Sequence, residues 1–221
     1  MTINQRRRQK QLAKKAAKAS AKAKASRASR AQKAAMTSGF PLSVPAWPIH
    51  EALISESVQH INQGTVILSR KYGESIAVAV FLVDTGCMGI KDAFGRLMGA
   101  AAYSDFLAKF RTSENFIASR PECLRKLVEE ALAYAEDLGF SPDPDYHRVK
   151  SLFGDIDSDV CTQEFEFGKD GKPFYVSSPN DSPGRVRAIM KQLSDRCGGP
   201  DGFHFMIASP DLQDDFIDYE E

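Results

Sequence analysis

The residues TVILSRKYGESIAVAVFLVD, 65–84, carry the clearest structural signal in the chain. Residues 75–84 are apolar at nearly every position and rich in β-branched residues, which predicts a strand with both faces buried. Residues 65–70 have the pattern of a shorter strand, and the intervening KYGE is typical of a tight turn. We therefore predict a β-hairpin whose second strand is central in a sheet.

Helical patterns flank this hairpin. Residues 49–61 place apolar side chains at helical spacing, and residues 90–117 have the pattern of one or two helices. The clearest helix has Pro121 in its first turn and ends at Gly139, because proline suits a helix start and glycine a helix end. A short helix is predicted for residues 146–153.

The C-terminal third combines strand and helix patterns. Residues 162–167 alternate in polarity, and Asp170-Gly171 is a strong hairpin signal. A helix is predicted with a cap within residues 180–182 and Pro183 in its first turn, followed by a last strand at residues 203–208. Together these elements predict an α+β fold, a single domain with a mostly antiparallel sheet of about five strands packed by four to six helices.

Charge divides the chain into distinct parts. Residues 1–35 hold 12 of the 29 Lys and Arg residues and no acidic residue, so the other 186 residues hold 17 basic and all 29 acidic side chains, a net charge of −12. We predict four parts from this division. They are a disordered or helical basic arm (1–36), a proline-rich extended linker anchored by Trp47 (37–48), the α+β domain (49–209) and an acidic tail (210–221).

The basic arm is expected to bind RNA or DNA, because Lys and Arg release counterions from a phosphate backbone without reading its sequence. An anionic protein or membrane surface and a merely solubilising tail are the alternatives, although the arm has no apolar face for a membrane. No apolar stretch is long enough to span one. The expected phosphate-binding residues are Arg6, Arg7, Arg8, Lys10, Lys14, Lys15, Lys18, Lys22, Lys24, Arg27, Arg30 and Lys33.

The four cysteines are widely spaced and form no CxxC motif, so we expect free thiols in a reducing cytoplasm. Cys87 follows the buried strand and precedes a predicted helix, where a thiol can have a lowered pKa and act as a nucleophile. Asp84 and His147 are its candidate catalytic partners. The alternative is a small residue packed at a crowded turn.

Four closely spaced carboxylates are a candidate metal site. Asp155, Asp157, Asp159 and Glu166 fall at positions 1, 3, 5 and 12 of a calcium-binding EF-hand loop. Position 6, which needs glycine for its sharp turn, is Val160, and the following residues alternate like a strand. A solvated acidic turn is therefore the favoured interpretation, and no cofactor is expected.

Four segments are similar to those of an uncharacterised family of bacterial proteins. They are FLVDTGCMGIKDAF (81–94), AYAEDLGFSPDPDY (133–146), FGDIDSD (153–159) and FGKDGKPFYVSSPNDSPGRVR (167–187). The similarity covers about residues 47–208 and excludes the arm. It implies a single bacterial domain and assigns neither an activity nor a catalytic residue.

These observations predict a non-enzymatic protein associated with nucleic acid, with RNA or the ribosome favoured as its context. The arm would supply affinity, and the acidic domain would orient it or contact a protein partner. A solvated terminus is the favoured interpretation of the acidic tail, and competition with phosphates for the arm is the alternative. The alternative from another class is a small hydrolase or nuclease centred on Cys87 or on a carboxylate metal site.

Overall fold

The predicted hairpin forms the centre of a five-stranded antiparallel sheet. The computed structural model describes residues 40–178 and 181–207, which belong to one compact unit, and the predictions on the arm and the acidic tail lie outside these residues. The strands are β1 (Ile49–Ser55), β2 (Gln63–Tyr72), β3 (Ser75–Asp84), β4 (Gly89–Gly99) and β5 (Phe116–Ala118). In the sheet they follow the order β4-β3-β2-β1-β5.

The described residues also contain five α-helices and a second, two-stranded sheet. The helices are α1 (Ser57–Ile61), α2 (Ala100–Arg111), α3 (Pro121–Asp137), α4 (Tyr146–Val149) and α5 (Pro183–Arg196). Strands β6 (Phe174–Val176) and β7 (His204–Met206) pair in parallel. The α+β prediction is confirmed. None of the helices in the described ranges is long and apolar enough to cross a membrane.

Strand β3 is buried on both faces, as its sequence predicts. One face packs into a core with α3, α4 and the short 3-10 helix Lys150–Phe153, and the other packs against α2. Phe81 lies in the first core and Val80 in the second. The continuous apolar run is therefore explained by two helical layers, one on each side of the sheet.

The helices predicted for residues 49–61 and 90–117 are only partly correct, since β1 and β4 occupy the first part of each range and α1 and α2 follow. In β1, which pairs with β2 and β5, Leu53 packs on the α2 side of the sheet and Ile54 on the α3 side, because successive side chains of a strand point to opposite faces. In β4, Gly95 lies under the ring of Phe40, where a Cβ atom would come within 2.5 Å of the ring. A strand buried on both faces can mimic helical spacing over short runs, so sheet pairing decides the outcome.

Three predicted helices are confirmed. Helix α3 begins at Pro121, and Gly139 follows its end with a φ of +83°. Helix α5 is capped by Ser182, whose Oγ accepts a hydrogen bond of 3.2 Å from the Arg185 backbone N–H. The short helix at residues 146–153 forms as α4 and the 3-10 helix that follows it.

The predicted C-terminal hairpin is only partly correct. Asp170 and Gly171 have φ values of 51° and 73°, as a tight two-residue turn requires, and Lys169 pairs with Lys172 across it. The preceding residues 162–167 are not a strand. They form an irregular segment in which Phe165 and Phe167 pack against the main core, which explains the alternating polarity. Strand β6 pairs with β7 instead.

The described part of the predicted linker belongs to the folded unit. Val44 is fully buried in a 3-10 helix, and Trp47 packs against the core as predicted. The buried Arg70 guanidinium holds this segment in place by donating to the carbonyl oxygens of Trp47, Leu152 and Phe153 at 2.6–2.8 Å. Burial lowers the pKa of Arg70, and Asp155 opposes that effect.

Two of the four cysteines are paired, which corrects the expectation of free thiols. Cys123 and Cys161 form a disulfide with a Cα–Cα distance of 5.0 Å, whereas Cys87 and Cys197 are free. The two bonded residues are 38 positions apart. Their spacing forms no local motif, so only the packing of α3 against the segment after residue 160 brings them together.

Candidate functional site

A cleft of about 1050 Å³ lies where α1 and the start of β2 face the turn that follows the irregular segment. Its walls come from residues 59–63, residues 166–171 and β6 with the two serines after it, and Met206 of β7 completes it. Both polar side chains and exposed apolar side chains contribute. We call this surface the cleft.

The floor of the cleft is fixed by hydrogen bonds between residues distant in sequence. Asn62 has a left-handed conformation, φ 57°, which asparagine tolerates better than most residues. Its Nδ2 donates to the carbonyl oxygen of Gly168 at 3.0 Å. The Gly168 N–H in turn donates to the Thr85 carbonyl at 2.8 Å. The turn is thereby attached to the ends of β2 and β3.

Close backbone contact also sets the position of β6. The Phe174 N–H donates to the carbonyl oxygen of Gly86 at 2.9 Å. A Cβ atom at Gly86 would lie 2.3 Å from the Phe174 carbonyl oxygen, so a side chain there would displace β6. The wall of the cleft therefore depends on glycine at this position.

The rim of the cleft carries a lysine and two carboxylates, those of Glu166 and Asp170, beside exposed apolar groups. Lys169 Nζ lies 5.4 Å from the centre of the Phe174 ring, within cation–π range. Met206 is 57% exposed and Ile61 60% exposed. A neighbouring concavity of about 650 Å³ shares Lys169, Phe174 and Met206 with the cleft. Such a surface can bind a ligand that has both polar and apolar parts.

The predicted catalytic residues are only partly brought together. Cys87 is fully buried, and its backbone N–H donates to Asp84 Oδ1 at 2.9 Å. Burial, and then the Asp84 carboxylate, raise the pKa of the Cys87 thiol. His147 is exposed, and within the described ranges no hydrogen bond joins it to Cys87. Cys87 is thus buried at a crowded turn, which favours the alternative interpretation of the sequence, a small packing residue.

The candidate calcium ligands do not form a loop. The side chain of Asp157 accepts a hydrogen bond from the Asp159 N–H and caps the 3-10 helix Ser158–Val160. The side chain of Asp155 instead accepts from Arg70. No helix follows at Glu166, and the described residues contain no group of three His, Cys, Asp or Glu side chains able to hold a metal ion. Asp155, Asp157 and Asp159 are therefore not arranged as an EF-hand loop.

The twelve predicted phosphate-binding residues of the arm lie outside the described residues. Comparisons with family models, with curated proteins and with solved structures give no match. Functional inference therefore depends on the chemistry of this chain alone.

Sequence reasoning missed the cleft and the disulfide. The Asp170-Gly171 turn is visible in the sequence. Asn62 and Thr85, which hydrogen-bond to Gly168 just before this turn, are far away along the chain. A polar residue at the end of an apolar helix pattern, as at Asn62, was the one local signal for a left-handed position.

Proposed function

We propose that the protein binds RNA or DNA in the cytoplasm through the basic arm, as a non-enzymatic accessory protein. The observation that carries this proposal is the segregation of charge: twelve cations and no anion lie within 35 residues, while the rest of the chain has a net charge of −12. Cations at this density replace condensed counterions on a phosphate backbone.

The cations of the folded unit support this assignment because many of them are already paired. Lys91 lies 3.5 Å from Asp84, Arg125 lies 2.8 Å from Glu129, and Arg185 lies 3.3 Å from Asp181. A paired cation gives up part of its attraction for phosphate to its neighbour. The arm is thus the main source of uncompensated positive charge in the sequence.

The proposal assigns a different role to the folded unit. Its excess of carboxylates repels a polynucleotide, so affinity comes from the arm, and the folded unit orients the complex or contacts a protein. The hydrolase alternative has less support, because the Cys87 thiol is buried with a raised pKa and His147 is exposed.

The test compares three full-length proteins by fluorescence anisotropy with labelled single-stranded RNA and double-stranded DNA. Replacing all twelve arm cations with glutamine should weaken binding about a hundredfold or more at moderate salt. A variant in which residues 1–35 are shuffled at constant composition is the matched control. It should bind like the original chain, because counterion release does not depend on residue order. Equal affinity of the glutamine variant would disprove the proposal.

A further inference from the structure

The Cys123–Cys161 disulfide joins two elements of different character. Cys123 lies in the first turn of the 17-residue helix α3, which packs on the sheet. Cys161 directly follows the 3-10 helix Ser158–Val160 and begins the irregular segment, residues 161–168, that we call the ribbon. The bond therefore ties the ribbon to the main body of the fold.

Few other interactions hold the ribbon. In the part of the chain that the structure describes, no backbone–backbone hydrogen bond attaches residues 162–167 to a strand. Lys126 Nζ donates to the carbonyl oxygens of Cys161 and Gln163, at 3.2 and 2.9 Å. The rings of Phe165 and Phe167 are partly buried against the core. At the far end, Gly168 is held by its hydrogen bonds with Thr85 and Asn62. The disulfide is thus the one covalent cross-link of the ribbon, at the end opposite Gly168.

The far end of the ribbon forms a wall of the cleft. Glu166, Phe167 and Gly168 all line it. Only a few residues separate Cys161 from this wall, so opening the disulfide can move the wall. The opposite wall belongs to α1 and β2. The positions of Glu166 and Phe167 consequently set the width of the cleft on this side, together with the hydrogen bonds that join Gly168 to Asn62 and Thr85.

Each end of the disulfide borders a surface concavity, with Cys161 4% and Cys123 5% exposed. Cys161 lines a concavity of about 510 Å³ and Cys123 a smaller one of about 190 Å³. The first turn of a helix stabilises a thiolate, so Cys123 is the better leaving group. The wider concavity lies at Cys161, which is therefore the sulfur that an incoming thiolate attacks.

We propose that the Cys123–Cys161 disulfide is a redox latch, opened by a dithiol reductant, that releases the ribbon and widens the cleft. One thiolate of the reductant attacks Cys161 Sγ, the protein S–S bond breaks, and Cys123 leaves as a thiolate that takes up a proton. The second thiol of the reductant then displaces Cys161, which is also protonated. Two electrons and two protons pass to the protein, and the reductant becomes a disulfide.

The cytoplasmic location, which is part of the proposed function, favours a redox switch over a permanent cross-link. A protein that binds nucleic acid in the cytoplasm meets a reducing environment, where the disulfides that do form are mostly transient or redox-sensing. The geometric argument, from the ribbon and the two concavities, does not depend on nucleic-acid binding.

Hydrogen exchange of the oxidised and the dithiol-treated full-length protein, read by mass spectrometry, tests the latch. Reduction should raise amide exchange at Gly168, whose N–H donates to the Thr85 carbonyl oxygen at the far end of the ribbon, about tenfold or more and leave β2 and β3 protected. Alkylation after unfolding should label two cysteines before treatment and all four after it. The Cys123→Ser/Cys161→Ser variant should exchange rapidly in the ribbon with or without dithiol.

The Cys197→Ser variant, which keeps the disulfide and lacks one free thiol, is the matched control and should respond to dithiol like the original chain. Unchanged ribbon exchange on reduction would overturn the latch. So would exchange that rises throughout the sheet, because the disulfide would then be a general staple. Neither result involves nucleic acid, so a failure of the latch is distinguishable from a failure of the proposed function.

Discussion

The hairpin at residues 65–84 and the ribbon at residues 161–168 differ in what holds them. Strand β3 has a hydrogen-bonded strand on each side and a helical layer over each face. The ribbon has one disulfide, one lysine, two partly buried rings and the hydrogen bonds of Gly168 to Thr85 and Asn62. The stability of the hairpin is therefore inseparable from that of the whole fold, whereas the ribbon can open on its own.

The largest effect on the free energy of unfolding is expected from a substitution in the hairpin. Phe81 is fully buried and stacks on Phe153 with the ring centres 5.4 Å apart. Phe81→Ala should lower the free energy of unfolding by about 3–5 kcal/mol, because it leaves a cavity between the sheet and its helical layer. Urea denaturation measures this change.

The matched control for Phe81→Ala lies on the neighbouring strand β4. Leu97 is 51% exposed, so Leu97→Ala should change the free energy of unfolding by about 0.5 kcal/mol or less. Similar losses for the two variants would show that burial of β3 on both faces is not the main source of stability.

A smaller global effect is expected from Arg70, which connects β2 with the segments at Trp47 and at Leu152–Phe153. Arg70→Met should cost about 3 kcal/mol, because the carbonyl oxygens of Trp47, Leu152 and Phe153 lose their donor. Thermal unfolding followed by circular dichroism measures the loss. Arg70→Lys should recover only part of it, since an ammonium group cannot reproduce the planar fork. Full recovery with lysine would contradict this account of the three carbonyls.

The smallest effect should be confined to the ribbon. Phe167 is partly buried, with its ring centre 5.4 Å from that of Tyr134. Phe167→Ala should cost about 1 kcal/mol and speed amide exchange at the adjacent Gly168, whose N–H donates to Thr85, without changing exchange in β3. The exposed neighbour Glu164 provides the control, since Glu164→Ala should leave ribbon exchange unaltered. Equal acceleration in the two variants would mean that ring packing does not hold the ribbon.

The same two regions show how much of the fold can be predicted from sequence. The apolar run at residues 75–84 identifies a central strand because only a strand between two layers buries every side chain. Residues 162–167 have strand-like alternation, but their alternation records two phenylalanines that pack on a core without a strand neighbour. Periodicity reports which side chains are buried, and it does not report whether a backbone partner exists.

The candidate site was less predictable than the fold, for a related reason. The cleft is assembled from Asn62, Thr85 and Gly168, whose contacts span up to 106 positions in the chain. The disulfide likewise joins residues 38 positions apart. In contrast, the charge of the arm is a local property of composition and needs no tertiary contact to be recognised.

The salt dependence of nucleic-acid binding tests the central claim, that the arm supplies the affinity, most directly. If about eight of the arm's cations contact phosphates of double-stranded DNA, the logarithm of the binding constant should fall with the logarithm of salt concentration at a slope of about −7. The full-length variant with glutamine at all twelve positions should give a slope near zero. A slope that stays the same in that variant would contradict the claim.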